Sequence, residues 1–244
     1  MITHRRHSAR SPQHRGEQQP RKERQDMSDA ASEWAEAATA VRQARETLEA
    51  STASEIRAWA EKSGLTDWSM WQKIKRELYK QLDLDYDGLR ASEAEQVTDA
   101  VASAASAAPL VELYAAGDER GSFAVVGDGD ETAWYGTFHA KDAVFRQGDQ
   151  TSADDSAAGK AAFLAGKLRE ELDAPAIRLV LHISNPHLDG TRLAALAARY
   201  GVHLERLEID DENPATVWCE VPGHRPWQAI RLSELLVDDQ AEVG

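Results

Sequence analysis

The spacing of the apolar residues changes at Pro109, and this change limits the chain to a fold with a helical first half and an α/β second half. Before Pro109 the apolar residues recur at helical intervals, whereas after it alternating and continuous apolar runs are typical of strands. A chain of 244 residues is long enough to bury two cores without disulfides. The sequence therefore predicts an α/β protein in which a helical bundle precedes a mixed sheet with flanking helices.

Four helices are predicted before Pro109. Their apolar faces come from residues at helical spacing: Trp34, Val41 and Leu48; Ile56, Trp59 and Ala60; Trp71, Ile74, Leu78 and Leu82; Val97, Val101 and Ala104. Thr52 with Glu55 and Ser92 with Glu95 have the spacing of capping boxes, which predicts where the second and fourth helices begin. Together these patterns indicate a small bundle.

Four tryptophans lie in this helical half: Trp34, Trp59, Trp68 and Trp71. We expect them to fill the bundle core or its contact with the second half, because large aromatic side chains dominate the packing of cores. A role in stacking on nucleic-acid bases is the alternative.

Five strands and two helices are predicted after Pro109, in the order βββαβαβ. The predicted strands are 110–115, 122–126, 132–139, 177–183 and 202–209, with one helix starting after 152–156 and another near 193. The nearly continuous apolar run 177–183 is typical of a central strand that is buried on both faces. After Asn213, the segments 216–221 and 227–232 flank a Pro-Gly turn, which predicts a closing hairpin.

Charge and composition set the expected domain limits. Residues 1–26 hold seven basic and three acidic residues and almost no apolar ones, which predicts a disordered basic tail. Because Met27 resembles an ordinary translation start, these residues are alternatively not translated at all. We expect a helical domain over 27–107, an α/β domain over 108–237 and an acidic tail over 238–244.

The chain has 42 acidic residues against 28 basic ones, and only eight of the basic residues are lysines. This balance resembles that of proteins from a high-salt cytoplasm, where an acidic surface keeps a protein in solution. Cys219 is the only cysteine, and no apolar run reaches the length of a membrane span. We therefore expect a cytoplasmic protein with no membrane partner.

Residues 110–217 resemble the type 1 branch of the ribonuclease H fold in element order and in several short sequence words. The first-strand word of the family, Tyr-Thr-Asp-Gly, is matched by residues 114–117, Tyr-Ala-Ala-Gly. The first helix of the family has Thr-Asn, Ala-Glu and Ala-Leu-Ile-Ala-Gly, matched by residues 151–152, 158–159 and 162–166. The fourth strand of the family ends in Asp-Ser and its last word is Asn-x-x-Ala-Asp, matched by residues 184–185 and 213–217. The family continues into a helix there, so the predicted hairpin departs from its pattern.

The resemblance implies a site that has lost its metal ligands. The family uses four acids to hold two divalent metals about 3.5–4 Å apart for in-line phosphodiester hydrolysis. The matching positions here are Ala116, Gly159, Ser184 and Val217. Without those carboxylates a hard cation has no cage. We therefore predict no catalytic residues, no metal and no cofactor, and a non-catalytic protein that binds nucleic acid.

Two other functions remain open from the sequence. The tryptophan-rich helical half favours a protein-interaction or assembly module, since aromatic residues concentrate at the centres of interfaces. A metal-dependent nuclease with a relocated site is the second alternative. Eight acids in predicted loops or strand ends are candidates for such a site: Asp118, Asp128, Asp130, Asp154, Asp155, Asp189, Asp210 and Asp211.

One further pattern resembles the start of a calcium-binding loop. Asp83, Asp85 and Asp87, followed by Gly88, have the alternating acids of such a loop, but its twelfth position holds Ala94 where a glutamate is usual. The alternative is an acidic turn between helices whose side chains cap the following helix. No zinc site is predicted, because Cys219 and the histidines lack paired ligand spacing: His182, His187, His203 and His224.

Overall fold

The computed structural model describes residues 19–127, 129 and 132–237, with side chains from residue 31 onward. This part of the chain has eight α-helices and five β-strands: α1 Gln19–Gln43, α2 Arg45–Leu48, α3 Ala53–Lys62, α4 Trp68–Leu82, α5 Tyr86–Ala104, β1 Leu110–Gly117, β2 Ser122–Val126, β3 Trp134–Thr137, α6 Gln150–Glu171, β4 Ile177–Ile183, α7 Gly190–Ala198, β5 Val202–Ile209 and α8 Ala215–Cys219. None of the described helices is long and apolar enough to cross a membrane.

The chain forms two compact units, of which the first ends at Ala91 and the second begins at Ser92. The division falls inside α5, whereas the sequence places a domain boundary at 107/108. In the first unit, α1 begins at Gln19, so residues 19–26 are helical and not the disordered tail expected from composition. Residues 1–18 and the predicted acidic tail over 238–244 lie outside the described residues.

The core of the helical unit comes from the apolar faces of its helices. Its most deeply buried members are Ala37, Val41, Leu48, Ile56, Ala60, Ile74 and Leu78. The capping box at the start of α3 is confirmed, because Thr52 Oγ1 accepts from Glu55 N at 3.2 Å and Glu55 Oε2 accepts from Thr52 N at 2.8 Å. These hydrogen bonds from Thr52 lower the pKa of Glu55.

The second predicted capping box is wrong, because α5 begins at Tyr86 and Ser92 lies within it. Asp85 starts the helix earlier by accepting a hydrogen bond from Asp87 N at 3.2 Å. A Cβ at position 88 would lie 2.6 Å from Asp85 Oδ2, so Gly88 leaves the room that this side chain needs.

The tryptophans divide between the core and the surface. Trp71 is buried and meets Tyr86 edge to face at 4.9 Å, while Trp34 and Trp59 are half-buried. Trp68 is 78% exposed, so the expectation that all four tryptophans are packed inside is wrong for this residue.

The α/β unit contains one five-stranded mixed sheet in the order β3-β2-β1-β4-β5. β1, β2 and β3 are antiparallel neighbours, whereas β1, β4 and β5 are parallel. The predicted element order βββαβαβ after a helical region is confirmed. α6 and α7 pack on one face of the sheet against a core that includes Val111, Leu113, Phe123, Val125, Leu179, Leu181 and Ile183.

The predicted closing hairpin is wrong. Residues 215–219 form α8, and two 3₁₀ turns follow at Trp227–Ala229 and Leu232–Leu235. Asn213 Oδ1 accepts from Ala215 N at 2.9 Å, and Thr216 Oγ1 donates to Asn213 O at 2.7 Å, so the chain turns into a helix at once. Ala215, Trp218 and Cys219 then pack on the second face of the sheet at helical spacing.

α6 begins earlier than its predicted start, because Asp149 caps it by accepting from Ser152 N at 3.2 Å. The helix lies very close to the end of β1. A Cβ at position 117 would overlap the carbonyl group of Ala153, so Gly117 is required for this approach.

Candidate functional site

The carboxyl ends of the inner strands β1 and β4 lie side by side. We call this end of the sheet, together with the adjoining first turns of α6, the sheet edge. Tyr114 pairs with His182, so Ala116 and Ser184 come two residues later on neighbouring parallel strands. α6 brings Asp154 to this region, where its side chain is buried. The sheet edge is where the ribonuclease H resemblance places metal-binding carboxylates.

Asp154 is held at the sheet edge by three hydrogen-bond donors of the protein. Its Oδ1 accepts from Gly117 N at 3.2 Å and from Gln150 Nε2 at 3.0 Å. Its Oδ2 accepts from Asn185 Nδ2 at 3.0 Å. Backbone and amide donors thus satisfy both oxygens of this buried side chain.

Asn213 lies beside the sheet edge on the second face of the sheet and is 1% exposed. Its Nδ2 donates to Ala115 O at 3.0 Å and to His182 O at 3.4 Å, while its Oδ1 caps the start of α8. This single amide therefore joins β1, β4 and α8.

The four positions matched to family acids do not meet as a set. Ala116 is buried beneath α8, and Ser184 Oγ donates to Asp210 O at 3.0 Å. Val217 is 67% exposed on α8. Gly159 faces Leu196 of α7 and lies more than one turn beyond Asp154.

Of the six alternative acids that the structure describes, Asp154 is the one whose side chain is buried at the sheet edge, while the backbone of Asp210 contacts Ser184 there. Others have local partners: Asp118 accepts from Arg120 N, Asp155 pairs with Arg192, Asp189 caps α7 and Asp210 accepts from Glu212 N. Asp211 is exposed, and Asp128 and Asp130 lie outside the described residues. Within the described ranges, no group of three or more His, Cys, Asp or Glu side chains is arranged to hold a metal ion.

Cys219 lies beside the sheet edge, and its thiol donates to Ala116 O at 3.4 Å. Burial, together with the negative charges of Asp118 and Asp154, raises the pKa of this thiol to about 12. The thiol is therefore protonated at neutral pH, which makes it neither a nucleophile nor a thiolate ligand.

The acidic turn between α4 and α5 uses its three aspartates in other ways. Asp83 ends α4 in the left-handed conformation with φ 53°, Asp85 caps α5, and Asp87 Oδ2 pairs with Lys75 Nζ at 2.7 Å. Residues 86–94, which form most of the proposed calcium loop, are helical and cannot curl around an ion.

A row of polar side chains on the second face of the sheet was missed by sequence reasoning. His182 Nε2 lies 2.6 Å from Glu112 Oε1, and its Nδ1 lies 3.6 Å from Glu208 Oε2. The ring of Tyr114 stacks on His182 at 4.4 Å. Alternation along β1 places Glu112 and Tyr114 on one face, but only the pairing of β1, β4 and β5 brings His182 and Glu208 beside them.

A groove of about 900 Å³ adjoins this row. Its lining includes Glu112, Asp210, Glu212, Glu234, Tyr114 and Trp218, and none of the described residues that line it is basic. Four carboxylates in one groove give it a negative potential that disfavours a phosphate backbone. This groove is therefore poorly suited to nucleic acid.

Comparisons of this chain with protein-family models, with curated proteins and with solved structures found no match.

Proposed function

We propose that this chain is a non-catalytic, ribonuclease H-like protein that binds nucleic acid without cleaving it. The observation that carries the proposal is the sheet edge, where Asp154 is the one buried carboxylate and three protein donors already bind it. Two-metal hydrolysis needs several carboxylate oxygens that converge on the metals. Ala116 and Ser184 cannot supply them.

The arrangement of elements supports the ribonuclease H-like part of the proposal. A βββαβαβ order, with β1 in the middle of the sheet, is followed by α8 directly after Asn213. The family that the sequence resembles also continues into a helix after its Asn-x-x-Ala-Asp motif. α8 therefore matches the family pattern at the place where the predicted hairpin did not.

The nucleic-acid part of the proposal is tested by binding. We would measure the fluorescence anisotropy of labelled single-stranded RNA, single-stranded DNA and an RNA–DNA hybrid with the full chain, from low to molar sodium chloride. At least one of these ligands should bind saturably, and the bound nucleic acid should remain intact. Absence of binding to all three at every salt concentration would contradict the proposed function.

A further inference from the structure

Two large aromatic side chains of α4 lie on the surface of the helical unit. Trp68 is 78% exposed and Tyr79 is 62% exposed. The opposite side of α4 forms the core through Met70, Trp71, Ile74 and Leu78. Trp68 and Tyr79 therefore contribute little to the core, and both rings are available to contact a partner.

The two rings lie on the same side of α4. They are 11 residues apart, which is close to three helical turns and about 16 Å along the axis. Gln72 and Arg76 lie between them, and Lys80 follows, all at helical positions on the solvent side. We call Trp68, Gln72, Arg76, Tyr79 and Lys80 the α4 surface.

The α4 surface is basic in a strongly acidic chain. The acidic excess lies in residues 92–244, which hold 27 acidic and 12 basic residues, whereas residues 1–91 hold 15 acidic and 16 basic ones. α4 has four basic residues, of which Lys73 pairs with Glu33 at 2.5 Å, Lys80 pairs with the buried Glu77 at 3.6 Å, and Arg76 lies over the Trp34 ring at 6.0 Å. Asp87, at the start of α5, is paired with Lys75. Arg76 and Lys80 are nevertheless exposed beside the two rings, where their charges can attract an anionic partner.

We infer that the α4 surface is the site at which single-stranded nucleic acid binds, with bases stacked on Trp68 and Tyr79 and phosphates beside Arg76 and Lys80. This inference rests on the proposed function and moves its contact surface from the sheet to the helical unit. Every base has an aromatic face that can stack on such rings, and Lys and Arg attract the backbone. Stacking also persists at high salt, where phosphate contacts weaken.

The side chains between the two rings favour nucleic acid over a protein partner. The centre of a protein interface is a dry cluster of packed side chains surrounded by contacts that exclude water. Here the space between Trp68 and Tyr79 is occupied by Gln72 and Arg76, which suit hydrated phosphates and sugars. The acidic groove of the α/β unit offers no such surface to a polyanion.

The experiment measures anisotropy of a labelled oligothymidine of about 15 nucleotides, long enough to reach both rings, with the full chain across a sodium chloride series. Trp68→Ala and Tyr79→Ala should each raise Kd about tenfold or more, while Trp68→Phe should keep most of the affinity. Arg76→Gln should lower the slope of log Kd against log salt by up to about 1. Trp68→Ala should leave that slope unchanged, because Trp68 carries no charge. Unfolding of the helical unit would instead also remove the phosphate contacts and change the slope.

Arg199→Gln is the matched control for Arg76→Gln. Arg199 is an exposed arginine of the α/β unit, so this substitution removes the same charge away from the α4 surface. If the parent chain binds but the α4 variants bind equally well, the inference is overturned while the proposed function stands. If the parent chain binds the RNA–DNA hybrid but no single strand, only the inference fails; if it binds none of the oligothymidine, single-stranded RNA and the hybrid, both fail. Sedimentation of each variant supplies the remaining outcome: self-association that disappears in Trp68→Ala would show a protein interface and would also overturn the inference.

Discussion

The side chain of Asp142 links the loop before α6 to α6 itself. It lies between β3 and α6, where its side chain is 12% exposed. Burial acts to raise its pKa, but hydrogen bonds from Phe145 N, Ser156 Oγ, Val144 N and Lys160 Nζ outweigh burial and lower the pKa from 3.8 to about 2. The ionised carboxylate therefore ties the loop before α6 to the helix itself.

This shift predicts an acid-sensitive contribution to stability. Because the pKa is lower in the folded state, the stabilisation is complete above the unfolded pKa near 4 and is lost as the pH falls from about 4 to about 2. Asp142→Asn should lower the free energy of unfolding at neutral pH by about 2 kcal/mol, measured by urea denaturation, and the difference should shrink towards pH 2. Asp99→Asn, at an exposed position of α5, is the control and should change little. A loss for Asp142→Asn that does not vary with pH would contradict this account.

At the scale of elements, the contact between β1 and α6 positions Asp154. Gly117→Ala should be strongly destabilising, because the new Cβ would overlap the Ala153 carbonyl group and push α6 away from the strand. We expect a loss of about 1–3 kcal/mol or more, seen as a lower midpoint in thermal unfolding followed by circular dichroism. Gly190→Ala is the matched control, since its Cβ would meet Leu207 at an ordinary 3.6 Å. Equal midpoints for the two variants would show that the close approach is not required.

The elements that were predicted well from the sequence are those whose apolar residues follow one regular pattern along the whole element. The helices α3 and α4 and the strands β2, β4 and β5 follow from such patterns, as does the order βββαβαβ. The errors came where one polar contact decides the local structure. Asp85 starts α5 before the capping box at Ser92, and Asn213 turns Thr216 and Val217, which are typical of strands, into α8.

The contacts of the candidate site could not be predicted from the sequence. The lack of carboxylates at Ala116 and Ser184 could be read from the sequence. The role of Asp154 could not, because it depends on Gly117 and Asn185, which lie 37 and 31 residues from it in the chain. The Glu112–His182–Glu208 row likewise depends on the register of three strands.

The whole molecule carries an uneven charge, and this predicts a salt effect. Residues 92–244 hold 27 acidic and 12 basic residues, and the excess negative charge repels itself at low ionic strength. Counterions relieve that repulsion within a Debye length of about 10 Å at 0.1 M. The thermal midpoint should rise with sodium chloride. Asp211→Asn, at an exposed position, should raise the low-salt midpoint slightly and matter less in molar salt. Glu46→Gln in the helical unit, where charges are balanced, should have the smaller effect.

Calcium provides a separate check on that salt effect. Because Asp83, Asp85 and Asp87 serve as caps and an ion-pair partner, micromolar calcium should leave the midpoint unchanged. A sharp shift of the thermal midpoint with calcium, lost in Asp85→Ala, would contradict these roles of the three aspartates. It would also show that the salt effect does not come from the surface charge as a whole.

Hydrolytic activity of the sheet edge is measured as cleavage of the RNA strand in a labelled RNA–DNA hybrid with magnesium or manganese. The full chain and its Asp154→Asn variant would be compared at low and molar salt. We expect intact RNA in both samples, since Ala116 and Ser184 supply no carboxylate and Asp154 is bound by Gly117, Gln150 and Asn185. Metal-dependent turnover by the parent chain that Asp154→Asn abolishes would contradict this expectation.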